Sequence, residues 1–206
     1  MPIGLFIMRV LIYGSTYLTQ KCVEYLLRYP GNYELIGYIP APYPTVPGII
    51  PLPLVFTSEP HDIGINLGYE QRIDPWDNVY NIHPGLLPEF GGCDLLHHTV
   101  VQQKIEQGIT FQKMEESFDS GPILAKVTYP VFRDDDVLSL WQRVLRLYGP
   151  FVRYCLELLE TFPLEKIVER PCIIPRRYKR GKIQEKYRIM YQNDIRRLKE
   201  FAQCEG

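Results

Sequence analysis

Met8-Arg-Val-Leu-Ile-Tyr-Gly14 is an apolar run closing on glycine; Ser15 and Thr16 follow, and Leu18, Cys22, Leu26 and Leu27 then recur at helical spacing as far as Tyr29. A strand covered on both faces is apolar without alternation, so the run predicts a buried strand of a parallel sheet. Ser15 or Thr16 can cap the helix that follows, and Pro30-Gly31-Asn32 stops it. Tyr33 to Ile39 predicts a second strand. Strand, helix and strand in that order make a βαβ unit with a right-handed crossover, so the expected fold class is α/β with a mostly parallel sheet.

Outward from this unit, Pro40, Pro42, Pro44, Pro47, Pro51, Pro53 and Pro60 exclude regular helix or central strand, so residues 39–60 predict a stiff, irregular excursion. Asp62 to Tyr69 and Asn78 to Ile82 predict short strands, the second ending at His83-Pro-Gly. Leu95 to Gln107 reads as helix, and Ile109 to Met114 and Ile123 to Val131 as strands joined through a turn at Asp119-Ser-Gly-Pro122. Asp134 to Asp136 opens a long helix whose apolar side carries Val137, Leu140, Trp141, Val144, Leu145, Tyr148, Val152, Cys155 and Leu159, ending near Phe162-Pro163. Beyond it come a strand over Val168 to Ile174, the basic run Arg176 to Lys182, and a helix from Asp194 to Gln203. The expected organisation is a core at 1–163 and a basic strand-or-hairpin plus helix appendage at 164–206, too small to build its own core.

The 206 residues are 46% hydrophobic and 23% charged, ordinary globular values that exclude wholesale disorder. No apolar run reaches the roughly 18 residues of a membrane span, and the start lacks a signal peptide's pattern. Five scattered cysteines without a CxxC pair fit a reducing compartment, so a cytoplasmic location is expected. The charge is uneven. Residues 166–206 hold twelve Lys or Arg against five Asp or Glu, a charge of +7, and residues 1–165 hold eleven against nineteen, a charge of −8. A basic patch of this kind suits phosphate, pyrophosphate, nucleic acid, the partner in a homodimer, or simply water. No nucleic-acid partner is expected, because no RNP, KH or zinc-finger pattern accompanies it.

Chemistry concentrates in Asn81-Ile-His83-Pro-Gly-Leu-Leu-Pro88, Gly108-Ile-Thr-Phe-Gln-Lys-Met114 and Asp119-Ser-Gly-Pro-Ile-Leu124. Asn81 and His83 are two apart on a strand, so their side chains share a face, at the carboxyl end where parallel sheets open their crevice. A loop carboxylate returning there could orient the imidazole. Amide, imidazole and carboxylate together suit acyl transfer to an amine, with donors for an oxyanion and a path for a proton. The same residues also form ordinary turns, so residue type alone leaves both readings open. Cys93, Asp94, His97 and His98 resemble a metal cluster only loosely, since no second ligand group accompanies them; no metal is expected.

With their flanks, Asn-x-His-Pro-x-Leu-Leu-Pro, the 36-residue step from His83 to Asp119, and Asp-x-Gly-Pro-Ile-Leu, these segments resemble the folate-dependent formyltransferase family over about residues 8–160. The resemblance implies a Rossmann-like core, N10-formyltetrahydrofolate as donor, a primary amine as acceptor, and Asn81, His83 and Asp119 as the catalytic triad. By position it implies a pterin pocket formed by Leu67, Gly68 and Tyr69 with Leu86, Ser117 and Phe118. The family's ribonucleotide transformylase grips a ribose phosphate with a Gly-Ser-rich loop, where this chain has Tyr13-Gly-Ser-Thr-Tyr17 with a single glycine. Its methionyl-tRNA enzymes add a C-terminal barrel, for which the appendage leaves no room. Its sugar-nucleotide enzymes carry a run matched here by Tyr178-Lys179-Arg180. The expected acceptor is therefore an amino sugar on a nucleoside diphosphate, such as a dTDP-linked 4-amino-4,6-dideoxyhexose, contacted by Tyr178, Lys179 and Arg180. His98 is expected either at the acceptor or as an ordinary helix-face histidine. A ribonucleotide acceptor and a non-catalytic folate- or nucleotide-binding protein are the alternatives. The chain departs from the family at Phe90-Gly91-Gly92, where a basic residue is common, and at the pair His97-His98.

Overall fold

The computed structural model describes residues 7–55, 60–73, 78–162, 167, 177–178 and 188–204. The first apolar run forms β1 (Met8–Tyr13), in which Val10, Leu11 and Ile12 are fully buried. Helix α1 (Tyr17–Arg28) starts at a reciprocal cap: the Thr19 N–H donates to Thr16 Oγ1 at 3.1 Å and the Thr16 N–H to Thr19 Oγ1 at 3.2 Å. Strand β2 (Tyr33–Ile39) returns beside β1, and β3 (Ile63–Asn66) and β4 (Val79–His83) extend the sheet on the other side, all parallel. A two-residue strand β5 (Gly91–Gly92) and helix α2 (Leu95–Val101) lead into the antiparallel pair β6 (Glu106–Lys113) and β7 (Ile123–Pro130). The six-stranded order is β2-β1-β3-β4-β6-β7. The sheet is thus parallel through β4 and antiparallel at its last two strands.

Helix α3 (Val137–Thr161) is capped by Asp136, whose Oδ1 accepts from the Ser139 N–H at 2.8 Å. Because successive strand residues face opposite ways, Val10 and Ile12 meet the helices, packing with Leu18, Cys22 and Leu26 of α1 and Leu140, Val144, Val152 and Cys155 of α3. Leu11 and Tyr13 meet the other cover, with Val55, Ile73, Val79 and Met114. The two helices approach closely at Gly149, where a Cβ would stand 2.7 Å from the Tyr25 Cβ. Leu140 is fully buried in the larger cluster, and truncating such a residue to Ala typically costs about 2–5 kcal/mol.

Several boundaries differ from expectation. The helix expected to reach Gln107 ends at Val101, and Gln103 takes a left-handed φ of 51°. Gln107 belongs to β6 instead, fully buried, with its amide bonded to Thr99 Oγ1 and its Oε1 accepting from the Leu86 and Gly108 N–H groups. The strand expected over 62–69 stops at Asn66, whose Oδ1 turns the chain by accepting from the N–H groups of Gly68 and Tyr69. The 39–60 excursion is irregular over its described residues and carries only isolated bridges, Thr16 with Pro47 and Tyr38 with Leu54. In the appendage, the strand expected over 168–174 lies outside the described residues. Strand β8 (Arg177–Tyr178) pairs with β5 of the core, parallel, rather than with a hairpin partner of its own. Helix α4 (Arg188–Cys204) begins six residues before the expected start and packs Leu198 against Tyr17, Val46 and Val137. No helix among the described residues is long and apolar enough to cross a membrane.

Candidate active site

Strand β4 ends with Asn81 and His83 on one face, and the following Pro84–Pro88 turn is fixed from β6. Thr110 Oγ1 donates to the Gly85 carbonyl at 2.7 Å and accepts from the Leu87 N–H at 3.0 Å. The Tyr148 hydroxyl, buried on α3, donates to the Ile82 carbonyl at 2.7 Å and locks the residue between the two polar side chains. Asp119 arrives on the β6–β7 turn with a left-handed φ of 57°, a conformation that Asp tolerates better than most residues. Its Oδ2 accepts from the Gly92 N–H at 2.7 Å. Its Oδ1 stands 3.3 Å from His83 Nδ1 and 3.5 Å from Asn81 Nδ2. On the far side of the ring, His83 Nε2 lies 2.6 Å from the Phe90 carbonyl oxygen. The imidazole therefore faces an acceptor on both edges, and its doubly protonated form donates to both. His83 and Asp119 are only 5% and 8% exposed, so their interaction is weakly screened.

These groups stand in a cleft of about 690 Å³. Of the residues expected at a pterin pocket, Leu67, Gly68, Tyr69 and Phe118 line it. Leu86 packs instead on Phe90 and Leu95, and Ser117 lines a small recess beside Asn81 and Asp119. Much of the 67–69 backbone is already engaged. The Leu67 carbonyl accepts from Thr19 Oγ1 and the Leu67 N–H donates to the Tyr13 carbonyl, while Asn66 takes up both following N–H groups and donates to the Tyr69 carbonyl. His98 is not among the lining residues; its neighbour His97 is. Tyr178 is placed through its backbone, paired with Gly92, and Lys179 and Arg180 lie outside the described residues.

Sequence reading missed the other walls. Residues 41–46 of the proline-rich excursion line the cleft, as do Trp141 and Val144 of α3 and Ile195 and Leu198 of α4. Helix α4 meets this wall where His97 Nε2 stands 3.5 Å from Asp194 Oδ2, both side chains buried, and is held by Arg197, which reaches Asp136 at 2.9 Å and Asp194 at 3.7 Å. Burial lowers the His97 pKa to about 4 and raises that of Asp194. Among the described residues, no group of three or more His, Cys, Asp or Glu could hold a metal ion.

Residues 71–149 match the family described as "Formyl transferase". A methionyl-tRNA formyltransferase from Acidithiobacillus ferrooxidans is 30% identical over 100 residues, which are 48% of this chain and 32% of that protein. The chain thus spans about a third of that curated relative's length. Among solved structures, the sugar 3N-formyl transferase WlaRD, crystallised with dTDP and 5-N-formyl-THF, superposes with a TM-score of 0.70 at 16% identity, covering 87% of this chain and 72% of that one. Phosphoribosylglycinamide formyltransferase from Bacillus halodurans superposes with a TM-score of 0.61 at 18% identity, covering 77% of this chain and 98% of that one. Residues 71–149 thus carry the sequence signature of the formyl transferase family, on a fold that the solved formyltransferases share.

Proposed function

We propose that this protein transfers a formyl group from N10-formyltetrahydrofolate to the primary amine of a nucleotide-linked amino sugar. The observation that carries the reading is the convergence of Asn81 Nδ2 and His83 Nδ1 on one oxygen of Asp119, inside a cleft and within the segment that matches the family. The folate co-substrate supplies a formyl carbon on a nitrogen that can leave. Asp119, as the carboxylate, draws the proton from the incoming amine as the new C–N bond forms. Asn81 and His83 then turn their N–H groups from Asp119 to the oxygen of the attacked carbonyl, whose negative charge they stabilise. The Phe90 carbonyl keeps the far edge of the ring in place during this exchange. Asp119 and His83 pass the proton on to the departing N10 as the old C–N bond breaks.

The residues present suit the co-substrate. Tyr69 and Phe118 offer aromatic faces, and the Gly68 carbonyl is not taken up by another described residue. Support for an amino-sugar nucleotide over a ribonucleotide comes from the β1–α1 turn. A phosphate there would need the free N–H groups of a helix start. The Tyr17 N–H donates to the Val46 carbonyl at 2.8 Å, the Thr19 N–H is capped by Thr16, and Gly48 is pressed against the Thr16 backbone. Pyrophosphate recognition falls to the basic run around Lys179 and Arg180.

The test is mass spectrometry after incubation with N10-formyltetrahydrofolate and a panel of dTDP- and UDP-linked 3- and 4-amino sugars, with glycinamide ribonucleotide alongside. A formyl adduct on one amino sugar supports the reading. An adduct on glycinamide ribonucleotide alone moves the acceptor, and folate binding without any adduct favours a binding protein.

A further inference from the structure

The cleft grades from a buried floor to an exposed rim. His83 and Asp119 are almost wholly buried, whereas Tyr43 on the same lining is 86% exposed. Tyr43 lies between Pro42 and Pro44, whose rings fix φ and leave this part of the chain little freedom to lose. The segment is also tied to the start of α1. The Ala41 N–H donates to Ser15 Oγ at 3.0 Å, the Tyr17 N–H to the Val46 carbonyl at 2.8 Å, and the Gly48 N–H to the Ser15 carbonyl at 2.9 Å. The ring is therefore held out by a pinned backbone. No described residue stacks on it or bonds its hydroxyl. Over the whole cleft the described lining includes no Lys or Arg; its carboxylates are Glu70, Asp94 and Asp119. An exposed ring on a lining without cations suits an uncharged, flat group.

We propose that Tyr43 is a stacking platform for the nucleobase of the acceptor, and so an affinity-determining residue at the mouth of the cleft. The inference rests on the acceptor being a nucleotide-linked amino sugar. In such a molecule the base is separated from the reacting amine by a hexose and two phosphates. An amine placed on Asp119 at the floor puts the base at the rim, where Tyr43 stands. Stacking on a tyrosine tolerates different bases, because every base offers a π-face.

The test compares full-length wild type with Tyr43→Ala, Tyr43→Phe and Tyr178→Ala, titrating dTDP, UDP and 5-formyltetrahydrofolate by calorimetry. Tyr43→Ala should weaken both nucleotides by about tenfold or more, Tyr43→Phe should retain them, and folate affinity and Tm should not move, since the ring is exposed. A wild type that formylates an amino-sugar nucleotide and whose dTDP affinity survives Tyr43→Ala overturns the stacking role alone. So does nucleotide affinity lost in Tyr178→Ala and kept in Tyr43→Ala. A Tyr43→Ala variant that loses folate instead overturns the assignment of the base to this wall. A wild type that binds neither dTDP nor UDP overturns the acceptor reading and the platform with it.

Discussion

Replacing His97 by glutamine should flatten the acid limb of the stability curve. His97 is 3% exposed, and burial lowers its pKa from 6.5 to about 4. The unfolded chain binds this proton from about pH 6.5 downwards, while the folded chain refuses it until about pH 4, so the unfolded state is favoured progressively across that window. A displacement of that size corresponds to about 3 kcal/mol of stability present at neutral pH and lost on acidification. Asp194 acts in the opposite sense: burial raises its pKa, so its folded form takes up a proton earlier as the pH falls and returns part of the loss. Arg197 and Asp136 stand on the same network, and Asp94 and His98 also act on His97. Urea unfolding of wild type and His97→Gln from about pH 7 to about pH 4.5 measures the difference. The gap between the two should close as the pH falls, because the substituted amide does not titrate. Curves that run parallel through this window would refute the argument, and with it the claim that His97 is buried neutral beneath α4.

Other consequences follow from single contacts around the triad. Gly92→Ala forces a side chain onto a φ of 100°, a strain of about 1–3 kcal/mol, and should displace the N–H that holds Asp119. Turnover should drop at least about tenfold with the fold retained, read by kcat beside Tm. Asn66→Ala removes the acceptor that shapes Gly68 and Tyr69, so folate affinity should weaken several-fold while nucleotide affinity holds, read by parallel titrations. Tyr148→Phe leaves the Ile82 carbonyl without its buried hydroxyl and should cost about 1–3 kcal/mol, read by denaturant unfolding.

The βαβ opening was legible because its signals are local. Apolar runs, a cap and a Pro-Gly stop lie within one stretch of chain, and β1, α1 and β2 form within a residue or so of where these signals put them. Asn81 and His83 were legible through period two on a short strand, and the structure brings Asp119 to both. The rest depends on long-range partners that residue type does not announce. Gly92 serves through a backbone N–H, which every residue but proline has. Gln102, Gln103 and Lys104 favour helix, yet Gln107 is drawn into β6 by the buried bonds its amide finds with Thr99, Leu86 and Gly108. His97 gains its role only because Asp194, from the far end of the chain, packs on it. The proline run announced stiffness, but which wall it would build was decided by Ser15 and Tyr17.

The central claim is that Asn81, His83 and Asp119 perform formyl transfer. Single-turnover transfer from N10-formyltetrahydrofolate, measured in wild type and His83→Ala with folate affinity determined for both, tests it most directly. The account predicts that the variant folds and binds folate like wild type and loses formyl transfer by at least about a hundredfold. A His83→Ala variant that transfers formyl at the wild-type rate would contradict it.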